Sequence, residues 1–386
     1  MPAFALAVLP GCGSSGDPAE PASAGLPKEI TIGAAIAKTG YLEPYDATFA
    51  AVEQLVKETN ARGGIDGHTV RVVHVDNRSD PQQAVLAVQK VIEEGADVLF
   101  FSGEALTAAA GSPLAEEHNK LNFAIANEPG WGPPTTGRLS FSSNPSLLSE
   151  ASGGASFLNE RGIRRPFLFR DTSLIYGKVH CSGFEQTWEK LGGTIAGSVD
   201  FENSDESIAS QVSELRSADA DAVVMCSYPP GGAAAIKQIR AAGIDVPILG
   251  PAAFDGVFWL KGIPNIENIY VTSNGSAYDP PDEAMAKLFE NLQRTGVETD
   301  VSSALLAAYA AGQLMLGAIE ETGSVDGGVL ADALEAKPRE TIMGRVSYTK
   351  TDHYPTETRW PVYVYSNGKP KLVTEVESRF IPEYGE

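Results

Sequence analysis

Cationic residues are scarce in this chain: 29 Lys and Arg stand against 50 Asp and Glu in 386 residues, a formal net charge of −21. That deficit argues against nucleic-acid binding, which neutralises phosphates with basic surface. It argues equally against adhesion to anionic lipid through a polybasic face. An anionic ligand would have to be held locally by helix N-termini and hydroxyls, because the global field repels it. Cysteine is scarcer still. Cys12, Cys181 and Cys226 are an odd number with no C-x-x-C, which speaks against a disulfide scaffold or a zinc site. Cys226, in the apolar string Ala222 to Cys226, reads as a small buried hydrophobe. A Cys181–Cys226 bond is geometrically open, but nothing in the sequence favours it. The histidines (His68, His74, His118, His180 and His353) lack metal spacing. No P-loop, G-x-S-x-G, H-E-x-x-H or EF-hand motif occurs, so no metal, cofactor or catalytic residue is expected. No uninterrupted apolar run is long enough to span a bilayer.

What is present is an alternation of short apolar strings and amphipathic segments. Ile30 to Ala35 is the kind of run a buried parallel strand needs. Asp46 or Thr48 can cap a helix carrying Phe49, Val52, Leu55 and Val56 on one face. Gly63-Gly64 stops it, Ile65-Asp66-Gly67 turns, and Val70 to Val75 makes the next strand. The string Asn60-Ala61-Arg62-Gly63-Gly64-Ile65-Asp66-Gly67, with Asp76 to Pro81 after it, resembles the first βαβ unit of the substrate-binding proteins of branched-chain amino-acid ABC transporters. The resemblance implies a type I periplasmic binding protein: two Rossmann-like α/β lobes, three crossovers and a ligand cleft between them.

The first residues read as an address. Phe4 to Leu9 is apolar, and Leu9-Pro10-Gly11-Cys12 resembles the end of a lipoprotein signal, although no Lys or Arg precedes it. Cys12 is therefore the expected lipid-bearing residue and membrane link, followed by a Gly/Ser/Pro/Ala-rich tether to Leu26. Gly11 to Gly16 fits G-x-G-x-x-G, but a signal-like run before it and a tether after it exclude a dinucleotide fingerprint.

Two series of strands and helices follow, one from Ile30 and one from near Asn144-Pro145, and such alternation implies parallel sheets with right-handed crossovers. The resemblance places the crossovers near Asn144, Thr272 and Val346. The expected division is a signal and tether over 1–27, one lobe over 28–144 plus 273–346, and another over 145–272 plus 347–386.

Ligands in open α/β sheets bind outside the carboxyl ends of strands. The loops 38–45, 102–108, 127–131, 171–176, 227–230 and 251–254 are the candidates. Ser102 and Thr107 sit where the family binds an α-carboxylate with a Ser/Thr-rich turn. Tyr176, in Tyr176-Gly177, matches the family's ligand-contacting tyrosine, and Tyr228 follows similar logic. Tyr41, Tyr45 and Trp131 could wall the first lobe. Where amino-acid binders often carry an acidic residue for the α-ammonium, this chain has Ala252. Either Asp255 or Asp171 substitutes, or the ligand has no ammonium, in which case an aromatic or aliphatic carboxylate fits better than leucine. The expected function is capture of an amino acid or a related carboxylate or amide, delivered to an ABC permease. A ligand-sensing domain of the same fold and an α/β enzyme are the alternatives.

Overall fold

The computed structural model describes residues 25–260, 263, 266–355 and 359–383. Cys12 and its signal-like segment lie outside the described residues. Strand β1 (Glu29–Ile36) is buried from its second residue on, as its unbroken apolar run requires. Helices α1 (Glu43–Asp46) and α2 (Ala50–Ala61) lead to β2 (Thr69–Asp76). Gly63 and Gly64, at φ 104° and 78°, end α2, and a Cβ on Gly64 would lie 2.1 Å from the His68 carbonyl oxygen. Helix α3 (Pro81–Glu93) begins with proline in its first turn and is capped by the Asp80 carboxylate, which accepts from Gln83 N at 2.9 Å. Then come β3 (Val98–Phe101), α4 (Ala105–Glu117), β4 (Asn122–Ala124) and β5 (Ser140–Ser142). These strands form a parallel sheet in the order β2-β1-β3-β4-β5.

The chain crosses at Ser143–Ser146 into α5 (Leu147–Glu160) and a second unit: β6 (Pro166–Asp171), α6 (Ile175–Lys190), β7 (Gly197–Phe201), α7 (Ala209–Ser217), β8 (Ala222–Cys226), α8 (Gly231–Ala241), β9 (Ile248–Gly250) and β10 (Ile269–Thr272). It then returns to the first unit with α9 (Glu283–Arg294), α10 (Ser302–Thr322), α11 (Gly327–Ala336) and the hairpin β11 (Arg339–Thr341) and β12 (Gly344–Val346). Strands β13 (Arg359–Ser366) and β14 (Lys369–Glu377) finally add to the second sheet as antiparallel neighbours. Its order is β14-β13-β10-β9-β8-β6-β7, so its parallel part repeats the order of the first. The protein is a two-lobed α/β structure.

The last crossing and the state of Cys226 differ from expectation. The last crossing comes after Val346: the Tyr348 hydroxyl still donates to Ser142 O at 2.7 Å, and the His353 ring stacks on Phe141 at 3.7 Å. Only at Arg359 does the chain join the second sheet. Helix α10 is, by length and composition, apolar enough to cross a membrane, yet it is mostly buried: Ala307, Ala311, Leu314 and Met315 pack in the core of the first lobe. Cys226 is not free, because it is bonded to Cys181 and ties α6 to β8.

The repeat extends to side chains. Ser102 follows β3 directly and Ser227 follows β8 directly. Ser102 Oγ accepts from Asn77 at 2.6 Å and donates to Asp46 at 2.6 Å. Ser227 Oγ accepts from Asn203 at 3.1 Å and donates to Asp171 at 2.6 Å. Asp46 is thus not the helix cap expected of it. Its carboxylate holds the ends of β1 and β3, accepting from Ala37 N and Gly103 N.

Candidate functional site

The carboxyl ends of the two sheets face a common cleft. Its inner cavity, about 80 Å³, is walled by the first lobe at Tyr45, Gly103, Glu104 and Glu128 and by the second at Tyr176, Tyr228, Ala252 and Ala253. Tyr45 crosses the gap. Its ring meets Tyr228 and Phe258 edge-on at 6.3 and 6.0 Å, and its hydroxyl donates to Ala253 O at 3.3 Å. Tyr176 meets Tyr228 in the same way at 5.6 Å. A wider recess of about 510 Å³ lies on the other side of Tyr45, between Tyr41 and Pro229, Lys237 and Trp259. Tyr45 belongs to both walls, so it stands as a gate between mouth and cavity.

Hinge segments hold this arrangement. Asn274 Nδ2 donates to Asn144 Oδ1 at 2.8 Å, joining the first two crossings. Asp255 accepts from the hydroxyl of Ser273 at 3.1 Å and from the backbone of Ser303 at the start of α10. Glu150, fully buried on α5, accepts from Thr272 at 2.7 Å and from Ala252 N.

The structure places the sequence candidates in different parts of the cleft and its surroundings. Tyr176 and Tyr228 line the inner cavity. Ser102 and Thr107 are buried beneath it with their hydroxyls committed: Thr107 donates to Glu104 Oε2 at 2.8 Å, and Ser102 belongs to the Asp46 clamp. Asp255 lies behind the wall, and Asp171 clamps the strand ends of the second lobe. Tyr41 is on the outer recess, 45% exposed, donating to Glu104 at 3.0 Å. Trp131 is a core residue, packed edge-on to Phe101 at 5.9 Å. Glu104, Glu128, Asn144 and Ser303 were not singled out. Only the position of Glu104 and Glu128 in post-strand loops could have drawn attention to them.

The site is acidic and partly desolvated. Burial pushes the Glu128 carboxyl up to about 7, although bonds from Ala105 and Asn127 favour its charged form. Burial also raises Glu150 to about 7 and Asp46 to about 6, and it lifts Asp255 well above the usual range. A carboxyl whose pKa rises on folding binds a proton with folding. Its contribution to stability is complete below the ordinary carboxyl range and is lost as pH climbs through about 7. Buried His180 and His74, pushed down to about 3 and about 4, and His353, also lowered by burial, act in the opposite sense, an effect that fades as pH rises past the ordinary imidazole pKa of about 6.5. Between about pH 6.5 and 8 each glutamate lowers stability by about 1 kcal/mol, and each of these histidines offsets up to about 0.4 kcal/mol of that loss. Urea unfolding at the two pH values measures the drop, and Glu150→Gln reduces it.

Gly177 lets α6 approach the strand ends. A Cβ there would lie 2.5 Å from Asp171 O and 2.6 Å from Cys226 O, both of them backbone atoms that cannot swing aside. Gly177→Ala displaces the turn that carries Tyr176 and costs about 1–3 kcal/mol, read from the urea midpoint, with weaker ligand binding alongside.

Residues 29–369 match the family model described as periplasmic binding protein. The Leu/Ile/Val-binding protein homolog 3 of Brucella melitensis is 24% identical over 349 residues, spanning 88% of this chain and 92% of that protein. Two solved structures share the fold. One is the branched-chain amino acid transporter substrate binding protein LivJ from Streptococcus pneumoniae in complex with isoleucine: TM-score 0.79, 23% identity, 90% of this chain and 99% of that one. The other is an ABC transporter solute binding protein from R. palustris in complex with benzoate: TM-score 0.76, 20% identity, 90% and 96% covered.

Proposed function

This chain belongs to the periplasmic binding protein family, and from that premise we propose that it is the extracytoplasmic solute-capturing component of an ABC importer. It takes up a small organic molecule of amino-acid or aromatic-acid size, closes its lobes on it and presents the closed form to a permease. The observation that carries this reading is the position of Tyr45: a first-lobe ring and hydroxyl pressed on Tyr228, Phe258 and Ala253 of the second lobe, over a cavity at the ends of two matching sheets. Lobe closure of this kind needs contacts made only when the lobes meet. The relatives and neighbours support it, since their names speak of branched-chain amino-acid binding, of an ABC transporter and of isoleucine and benzoate as bound solutes.

The binding is without chemistry in this reading. Among the described residues no cluster of His, Cys, Asp and Glu suits a metal, and the buried carboxylates hold backbone amides and hydroxyls of the protein. Cys12 carries the lipid that keeps the protein at the membrane surface, and mass spectrometry of the mature chain from its native membrane tests that point. For solute capture, a thermal-shift panel of amino acids, amides and aromatic acids identifies binders by their upward shift. Small-angle scattering with a binder then shows a smaller radius of gyration, and the ligand is recovered unchanged. Turnover, or a binder that leaves the dimensions as they were, contradicts the reading.

A further inference from the structure

Most of the side-chain and backbone donors placed to receive a carboxylate in this cleft are committed to the protein's own carboxylates. At the N-terminus of α4, where an anion would be favoured, Ala105 N donates to Glu128 Oε1 at 2.9 Å, and the Asn127 amide donates to Glu128 Oε2 at 3.1 Å. Gly103 N is taken by Asp46 at 2.9 Å. Across the cleft, Ala252 N is taken by Glu150, and Ser303 N by Asp255. The hydroxyls of Ser102 and Thr107 end on Asp46 and Glu104. Among the described residues no Lys or Arg lines the inner cavity. A ligand carboxylate entering here would meet acidic groups with no free cation to offset them.

A second, independent observation points to what does fit. Tyr228 is 7% exposed, and its hydroxyl is buried with no partner on the cavity wall. Its ring, with those of Tyr45 and Tyr176, forms a chain of edge-on contacts around the same space. Glu104 and Glu128 lie opposite, and the wall between is apolar at Leu42, Ile125 and Val301. Aromatic faces attract an ammonium, and carboxylates neutralise it at close range. The net charge of −21 favours the approach of a cation for the same reason that it repels an anion.

We propose that this cleft takes a small organic cation, an ammonium on a compact apolar body with no free carboxylate beside it, held by Glu104 and Glu128 and enclosed by Tyr45, Tyr176 and Tyr228. The proposal rests on the solute-capture reading and specifies its ligand class. A single side chain supplies a matched set of probes: leucine, leucinamide, 3-methylbutylammonium and 4-methylpentanoate. In calorimetric titrations of the full chain, leucinamide and 3-methylbutylammonium bind at least tenfold tighter than leucine, and 4-methylpentanoate gives no heat. Glu104→Gln weakens both cations at least tenfold. Glu128→Gln does the same where it folds, and Tyr228→Ala provides a further readout where it does not. Leucine or 4-methylpentanoate binding as tightly as the amine overturns the charge assignment while leaving solute capture intact. Failure of both cations overturns it as well. Solute capture itself fails on a different result: a bound ligand that does not draw the lobes together.

Discussion

Tyr45→Ala weakens ligand binding about 100-fold and leaves the fold in place. The ring of Tyr45 makes two edge-on aromatic contacts across the cleft, and its hydroxyl adds a hydrogen bond to Ala253 O. Aromatic pairs contribute about 0.5–1.5 kcal/mol each, and a neutral hydrogen bond about 1 kcal/mol. Together that is about 3 kcal/mol of preference for the closed form, roughly two decades in affinity. None of these contacts belongs to the core of either lobe, so the urea midpoint of the unliganded protein moves little. Tyr45→Phe separates the parts: it keeps both ring contacts, loses the bond to Ala253, and weakens binding tenfold or less. Calorimetry with the ligand returned by the screen gives both values. Wild-type affinity in Tyr45→Ala contradicts the gate.

Removing the Cys181–Cys226 bond has the largest expected effect on stability. The two cysteines are 45 residues apart in sequence, so the bond closes a long loop in the unfolded chain. On the chain-entropy account a loop of that length is worth about 4 kcal/mol. Cys226 also precedes Ser227 and Tyr228, so the bond anchors the strand end from which a cleft ring projects. Urea unfolding of Cys181→Ser, or of wild-type protein under reductant, shows a loss of that order. An unchanged midpoint contradicts it. Such a bond persists in oxidising compartments, which agrees with an extracytoplasmic protein.

The fold was legible where local signals act alone. The apolar string of β1 and the Gly63-Gly64 stop each need only neighbouring residues, and each is where the sequence places it. Pairings over distance were not legible. Asp46 carries the residue type of a cap, but its partners Ser102 and Gly103 lie 56 and 57 residues on. Glu128 fills the start of α4 from 23 residues away, so a free anion site and a self-occupied one look alike in sequence. The cysteine pair gave no spacing to read. The last crossover was placed early because the stretch after Val346 is held to the first lobe by single side chains, Tyr348 and His353, and not by a strand. Within the site, Tyr176 and Tyr228 were legible through the family resemblance and their place in loops after strands, and both line the cavity. Glu104 and Glu128 were not singled out, because nothing local sets them apart in a chain where acidic residues are abundant.

The central claim is that a solute is enclosed at the junction of the lobes, inside the gate formed by Tyr45. A crystal structure with the tightest ligand from the titrations tests it most directly. The account predicts density between the rings of Tyr45, Tyr176 and Tyr228, with Glu104 in contact. Density confined to the outer recess beside Pro229 and Trp259, with the inner cavity empty, would contradict it.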